Sequence, residues 1–424
     1  MSALVVVALV IGGLAATTDL FLRGPNVADV VDEEFEVAWE YEPGELEPDN
    51  SSRPVLASVA SPQFGGQREQ VIVTPQAWVM VIEHGAARAV VGLDPQTGSP
   101  MWEHTLAQAQ CSAQPGPDDT VVCLASENGE DWTGHVLRAD TGEEVNTFTT
   151  PISGAWGVHL TGAGLAVLAE STTRVFDRLT LLDPAEGTEQ WSVDLLADDE
   201  TAALLQAIDV DEVEHTVVPQ PQWHDVGPNF TLSYASTDLF VDATAGEISV
   251  LQCYPAIITS GSIGCSSHHE TVMYDGDAEQ VWASPQVQLA RPPVSGEHVL
   301  VNVADESLWQ TEWDSGAVVA EVGPTESRPI VSGTAEQPFV MHEREVVAFA
   351  ESEELWRTTV RGMNSITTVM VIGDVAIVDG FSTLGLDLAT GEDLWVRYRS
   401  GNLRVIDDEL VSIGTGEIAV LQLP

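Results

Sequence analysis

The chain has no lysine. All 15 of its basic residues are arginines, set against 66 acidic residues, and the formal net charge is -51. Such a surface repels phosphate backbones and anionic headgroups, which argues against DNA or RNA as a partner. The acids are spread along the chain rather than gathered in a tail. Their plain reading is a hydrated, soluble surface; the sharper one is a face for cations or a basic partner. Cysteine is scarce as well: there are four, and no two are adjacent. The G-x-S-x-G elbow, the H-E-x-x-H helix and the P-loop are all missing, so the common hydrolase, metalloprotease and nucleotide-binding signatures are excluded. Helical periodicity is nearly absent beyond residue 35; 195–215 is the main exception, and a short helix is expected there.

What is present begins with an apolar N-terminus. Residues 2–18, SALVVVALVIGGLAATT, carry no charge, and LFL follows Asp19 before Arg23. That length is near what spans a bilayer, so 1–22 reads as a transmembrane signal anchor or a cleaved signal peptide. Residues 23–35 read as a linker. Either reading of the apolar run sets the remaining chain, 36–424, outside the cytoplasm: at the cell membrane through the N-terminal helix alone, or secreted if the segment is cleaved.

The cysteines fit that compartment. Cys111 and Cys123 are twelve apart, and so are Cys253 and Cys265. CSAQPGPDDTVVC and CYPAIITSGSIGC each read as strand, turn, strand, which can bring the two Cα atoms within bridging distance. An even count in an exported chain favours disulfides. Zinc is the rival reading, but neither span holds a C-x-x-C knuckle or a histidine.

From residue 36 onward, short runs of Val, Ile, Leu and Thr alternate with Gly, Asp, Pro and Ser. One turn recurs. GLDPQTGSPMW carries Asp94, Gly98 and Trp102; LLDPAEGTEQW carries Asp183, Gly187 and Trp191; GLDLATGEDLW carries Asp387, Gly391 and Trp395. Glycine follows aspartate by four and tryptophan follows it by eight in all three. Weaker copies keep Asp242 and Gly246 with Val250, Asp275 with Trp282, Asp140 and Gly142 with Phe148, Gly316 alone, and Trp356 alone. The intervals run from roughly 33 to 60 residues, a period that fits four-stranded propeller blades. The glycine supplies a position at φ > 0 between the third and fourth strands. The aspartate accepts from backbone N–H groups further round the turn. The tryptophan buries on the order of 200 Å² and pins the outer strand.

These turns resemble the tryptophan-docking repeats of the quinoprotein (PQQ-like) β-propeller family. That family holds PQQ-dependent alcohol dehydrogenases and non-enzymatic propellers such as the outer-membrane assembly lipoprotein BamB. The resemblance covers roughly 36–424. With the cysteine pairs and the apolar N-terminus, the chain looks most like membrane-anchored PQQ-like repeat proteins of actinobacteria. It implies an all-β propeller of eight four-stranded blades, with seven or nine open, preceded by a hydrophobic helix. Eight turns carry some trace of the motif, and FEVAWEYE, with Trp39, can close the ring as a last fourth strand.

The dehydrogenases of that family use a vicinal Cys-Cys disulfide, a calcium held by Glu, Asn and Asp, and an aspartate base. None of these carries over by motif, so no enzyme activity, catalytic residue, metal or cofactor is expected. The adjacent His268 and His269, the WHDVG segment (Trp223, His224, Asp225) and the acidic runs at 198–200 and 209–214 read as solvated loops before they read as sites. What remains is a monomeric, non-catalytic scaffold at the cell envelope that binds proteins or ligands through variable loops. A small-ligand or cation-binding propeller is the alternative. Mass spectrometry of exported, unreduced protein is expected to show 111–123 and 253–265 linkages; four free thiols would remove the disulfide reading.

Overall fold

The computed structural model describes residues 36–42, 55–56 and 71–423, apart from 85–86, 171–175, 198–221 and short stretches between 235 and 417. The N-terminal apolar segment, the 198–200 and 209–214 runs, His268 and His269 all lie outside the described residues, as does nearly all of the stretch expected to hold a helix. Among the described residues there is one 3-10 turn, Pro117–Asp119, and no helix long and apolar enough to cross a membrane.

Everything else is antiparallel strand. Val, Ile and Leu alternate with polar residues over runs of two to eight. The strands form nine sheets of four strands, the first with the extra two-residue strand Val55–Leu56. Eight are built in chain order: blade 1 from 71–107, blade 2 from 110–149, blade 3 from 155–194, blade 4 from 222–251, blade 5 from 256–285, blade 6 from 287–324, blade 7 from 330–359 and blade 8 from 366–397. Blade 9 takes three strands from 402–422 and its outer strand from Glu36–Tyr41, with Glu36 opposite Gln422 and Tyr41 opposite Ile418.

The sheets therefore number nine rather than eight, the upper of the counts that the repeats leave open. All eight traces of the turn belong to separate blades, and the closing sheet adds another. The reason is physical: a blade survives loss of its tryptophan. Blades 4 and 6 have none at the docking position, yet both keep a turn glycine at φ 70 and 65 and a full four-strand ladder.

First strands of neighbouring blades approach one another, as Gln110–Cys111 does Ala155–Leu160 and Ile330–Gly333 does Ile366–Ile372. They are thus the inner strands, and the fourth strands form the rim. Apolar clusters lie between consecutive blades, and one of them couples Val411, Ile413, Ile418 and Val420 of blade 9 to Trp78, Met80 and Val91 of blade 1. The ring is closed.

The repeated turn forms the joint between blades. Asp94 Oδ1 accepts from the N–H groups of Gln96 and Thr97 at 2.8 and 2.9 Å, and the Gly98 N–H donates to the Asp94 carbonyl at 2.9 Å. Asp183, Asp242 and Asp387 repeat the pattern. Hydrogen bonds to the Asp387 carboxylate, first from the Thr390 side chain and then from its N–H, hold that carboxyl below the usual aspartate range. Gly98 has φ +65, and a methyl group added there would come within 2.2 Å of the Trp39 ring. Glycine is therefore needed twice over, for the backbone and for the close approach.

Four tryptophans reach from their own rim strand to the turn of the following blade. The Trp39 indole N–H donates to the Pro95 carbonyl at 3.0 Å, Trp102 to Ala139 at 2.7 Å, Trp191 to Ala243 at 2.8 Å and Trp356 to Leu388 at 2.8 Å. The acceptor in each case is the residue just after the turn's first position. The glycine at the turn's fifth position lies under the ring: Gly98, Gly142, Gly246 and Gly391 respectively. Trp282 packs on Gly316 in the same way. In blade 2 the turn's first position is Arg138 rather than Asp140, because the Gly142 N–H donates to the Arg138 carbonyl.

In blades 2 and 4, where the indole is missing, another donor replaces it. Phe148 covers Gly187 but cannot donate; Asn146, two residues earlier, donates to the Ala185 carbonyl at 2.5 Å. Blade 4 has Val250 instead of tryptophan. There the buried Asn229 accepts from the Ala243 N–H at 3.0 Å and donates across to the Gly276 carbonyl at 2.7 Å. Gly276 follows Asp275 and so occupies the position the indoles address elsewhere. Closer to the axis, buried serine hydroxyls clasp the next blade: Ser112 accepts from the Leu160 N–H, Ser266 from Leu289 and Ser332 from Val369.

Two stability effects follow from these joints. Trp39→Ala removes both the closing contact and its hydrogen bond, and is expected to cost about 3–5 kcal/mol in urea unfolding; an unchanged midpoint would show that this strand does not close the ring. Asn229→Ala leaves a buried carbonyl and a buried N–H unpaired between blades 4 and 5, and should lower stability by about 1–3 kcal/mol. The same assay measures it.

Candidate functional site

The residues singled out by the repeat are used in joints. Asp94, Asp183 and Asp387 cap turns, Gly98, Gly187 and Gly391 lie under rings, and Trp39, Trp102, Trp191, Trp282 and Trp356 dock on the following blade. Trp395 is buried over Gly385 of its own blade and packs into the cluster shared by blades 8 and 9. The cysteines also hold structure. Cys111 on the inner strand of blade 2 is bonded to Cys123 on the next strand, directly opposite in register. Cys265 on the second strand of blade 5 is disulfide-bonded too, and Cys253 lies outside the described residues.

A different group of polar and aromatic residues gathers on the inner wall where blades 3 and 4 meet. WHDVG is not a loop: Gln222–Val226 is the inner strand of blade 4, turned back by Gly227 at φ +59 and paired with Asn229–Tyr234. Trp223 and Asp225 lie opposite Leu232 and Phe230, on the face toward blade 3; His224 lies opposite Thr231 on the other face. Blade 3 contributes His159 from its inner strand, Ala155–Leu160.

The His159 side chain is only 3% exposed, and its Nε2–H donates to Asp225 Oδ1 at 2.9 Å. Its ring stacks on the Trp223 indole with centroids 5.5 Å apart and planes within 8°. Phe230 closes the back of the pair, 5.8 Å from Trp223 and 6.1 Å from His159. Asp225 keeps 42% of its side-chain surface open. His224 is exposed by area yet set into a concave wall, and the surrounding protein, followed by the nearby His159, holds its pKa below the usual histidine value. A second perturbed acid lies in blade 8, where burial pushes the Asp379 carboxyl up to about 6 against the Thr383 hydroxyl that donates to it.

The described inner strands do not carry the groups with which the family's enzymes hold a quinone and its calcium. The family's enzymes set a vicinal disulfide against the quinone, whereas Cys111 and Cys123 are joined across a hairpin. Among the described inner strands the only carboxylate is Asp225, too few for a Glu-Asn-Asp calcium site. No group of three or more metal-ligating side chains occurs among the described residues.

Known proteins supply a comparison. Residues 28–197 match the family model described as "Outer membrane protein assembly factor BamB". No curated protein matches the chain. Among solved structures, BamB from Moraxella catarrhalis is 15% identical, with 84% of this chain and 96% of that one covered and a TM-score of 0.42. The computationally designed Ika8 protein is 13% identical, with 85% and 98% covered and a TM-score of 0.43. Sqt1 from Saccharomyces cerevisiae is 12% identical, with 72% and 93% covered and a TM-score of 0.39. With its docking turns and its ring of four-stranded sheets, the chain resembles the PQQ-like β-propeller family in the branch represented by BamB.

Proposed function

We propose that the protein is a non-catalytic, extracytoplasmic scaffold that binds protein partners at the cell envelope. The observation that carries this reading is the match of residues 28–197 to the BamB model, on a chain whose repeat residues all serve to hold a ring together. A closed ring of docked blades is a rigid platform, and its turns and loops are the parts free to vary. Five turn aspartates place carboxylates at the outer end of the third strand in blades 1, 3, 4, 5 and 8. Together with the net charge of -51 they favour a partner with a basic docking segment.

Crosslinking in cells followed by affinity capture is expected to enrich a small, reproducible set of envelope proteins, and to lose them as salt is raised during capture. Enrichment of none would overturn the reading. In parallel, purified protein given PQQ and calcium should show no dye-linked alcohol oxidation above background. Turnover in that assay would replace the scaffold with an enzyme.

A further inference from the structure

We propose that the inner wall at the junction of blades 3 and 4 is a binding site for an alkylammonium or guanidinium group, with Asp225 as the counter-charge and Trp223 as the flanking aromatic surface. The site goes beyond the scaffold reading and does not depend on it.

The first argument is distribution. In a chain with 66 acidic residues, the described inner strands carry a single carboxylate, Asp225. The rim strands are different: Glu36, Glu40, Glu103, Glu144, Glu189 and Glu354 all lie on them. A lone acid on a wall where the other described inner strands carry no carboxylate is not part of the general hydrated surface.

The second argument is construction. His159 is buried, and its one imidazole does two things: it donates to Asp225 Oδ1 and stacks on Trp223. The carboxylate and the indole are thereby fixed relative to each other by a residue from the neighbouring blade. Among the described residues Oδ2 of Asp225 has no hydrogen-bond partner, and neither does the Trp223 indole N–H. A pre-set carboxylate beside an aromatic ring is the pairing that recognises organic cations, by charge-assisted hydrogen bonds and by attraction to the ring face.

The third argument concerns competition. His224 projects from the opposite face of the same strand, and its lowered pKa keeps it uncharged at neutral pH, so it adds no repulsion toward a cation. The one arginine on the described inner strands, Arg404, belongs to blade 9 rather than to this junction.

Two sources could provide the cation: a basic residue on a partner segment, or a free polyamine. Acetyl-Gly-Arg-Gly-amide and spermidine serve as the respective probes, titrated into the full chain at 0.15 M salt with tryptophan fluorescence and calorimetry as readouts. At least one probe is expected to show a saturable phase of one site per chain. Asp225→Asn changes the total charge by only one unit, so diffuse attraction to the acidic surface persists, while the saturable phase should weaken at least tenfold. Trp223→Phe should keep calorimetric binding and lose most of the fluorescence change. Glu103→Gln on the rim should behave as wild type. Binding by the peptide alone points to a partner segment, and binding by spermidine alone to a polyamine. Equal affinity in wild type and Asp225→Asn, or no saturable phase with either probe, overturns the site. Either result leaves partner capture through the turns and loops unaffected.

Discussion

The joint between consecutive blades is the interaction on which the rest of the ring depends. An aromatic on one rim strand lies over the glycine of the next turn, and its N–H reaches the carbonyl that the turn leaves unpaired. That carbonyl sits at a blade boundary where strand partners are not at hand, and burying it unpaired costs about 1–3 kcal/mol. Satisfying it from the neighbouring blade makes each turn dependent on the blade before it. Asn146 and Asn229 make the point clearly. In these two joints the indole is lost, a hydrogen bond to the next turn is kept, and the ring's packing is replaced or dropped. The polar half of the joint is therefore retained at the blade 4–5 boundary, where the aromatic half is not.

Electrostatics are arranged around the same geometry. A net charge of -51 in one chain generates strong self-repulsion, which is smallest when the charges are far apart and well hydrated. The turn aspartates meet that need at the blade ends, where backbone N–H groups also stabilise them. The described inner strands, closest together and least hydrated, hold almost no charge. Asp225 is the one acid among them, and a buried imidazole holds it in place.

Much of the architecture could be read from the sequence, because the joint needs unusual residues at fixed spacing. Only glycine combines φ near +65 with a ring in contact. A tryptophan eight residues past the turn's start is repeated in three distant places, and in two of them, Trp102 and Trp191, it docks on the following blade. Where those residues changed, reading failed in specific ways. The DTG of blade 2 points to Asp140, but the hydrogen bond that defines the turn runs from Gly142 to Arg138. Asn146 and Asn229 look like ordinary strand residues, since nothing local distinguishes a docking amide from a solvated one. The cluster at the blade 3–4 junction is hidden more deeply. WHDVG has the polarity of a loop, and its partner His159 is 66 positions away, so only closure of neighbouring blades brings them together. The count of nine blades lies in the tally of turns, and the usual size of the family pulls the expectation to eight.

The closing strand has a consequence in time. Glu36–Tyr41 is the first described strand to leave the ribosome, and its ladder partner, Ile418–Gln422, is the last. Until Ile418–Gln422 is made, Trp39 has only the blade 1 side of its pocket, formed by Gly98 and Trp78, and the strand itself lacks its ladder partner. Eight blades can assemble in sequence behind it by local hairpins, each docking on its predecessor's rim. The ninth needs contacts between strands far apart in sequence, the slowest kind to form. An unpaired, partly apolar strand is thus carried until blade 9 is made, and the exposed acids on it, Glu36 and Glu40, work against pairing with another chain in the interval.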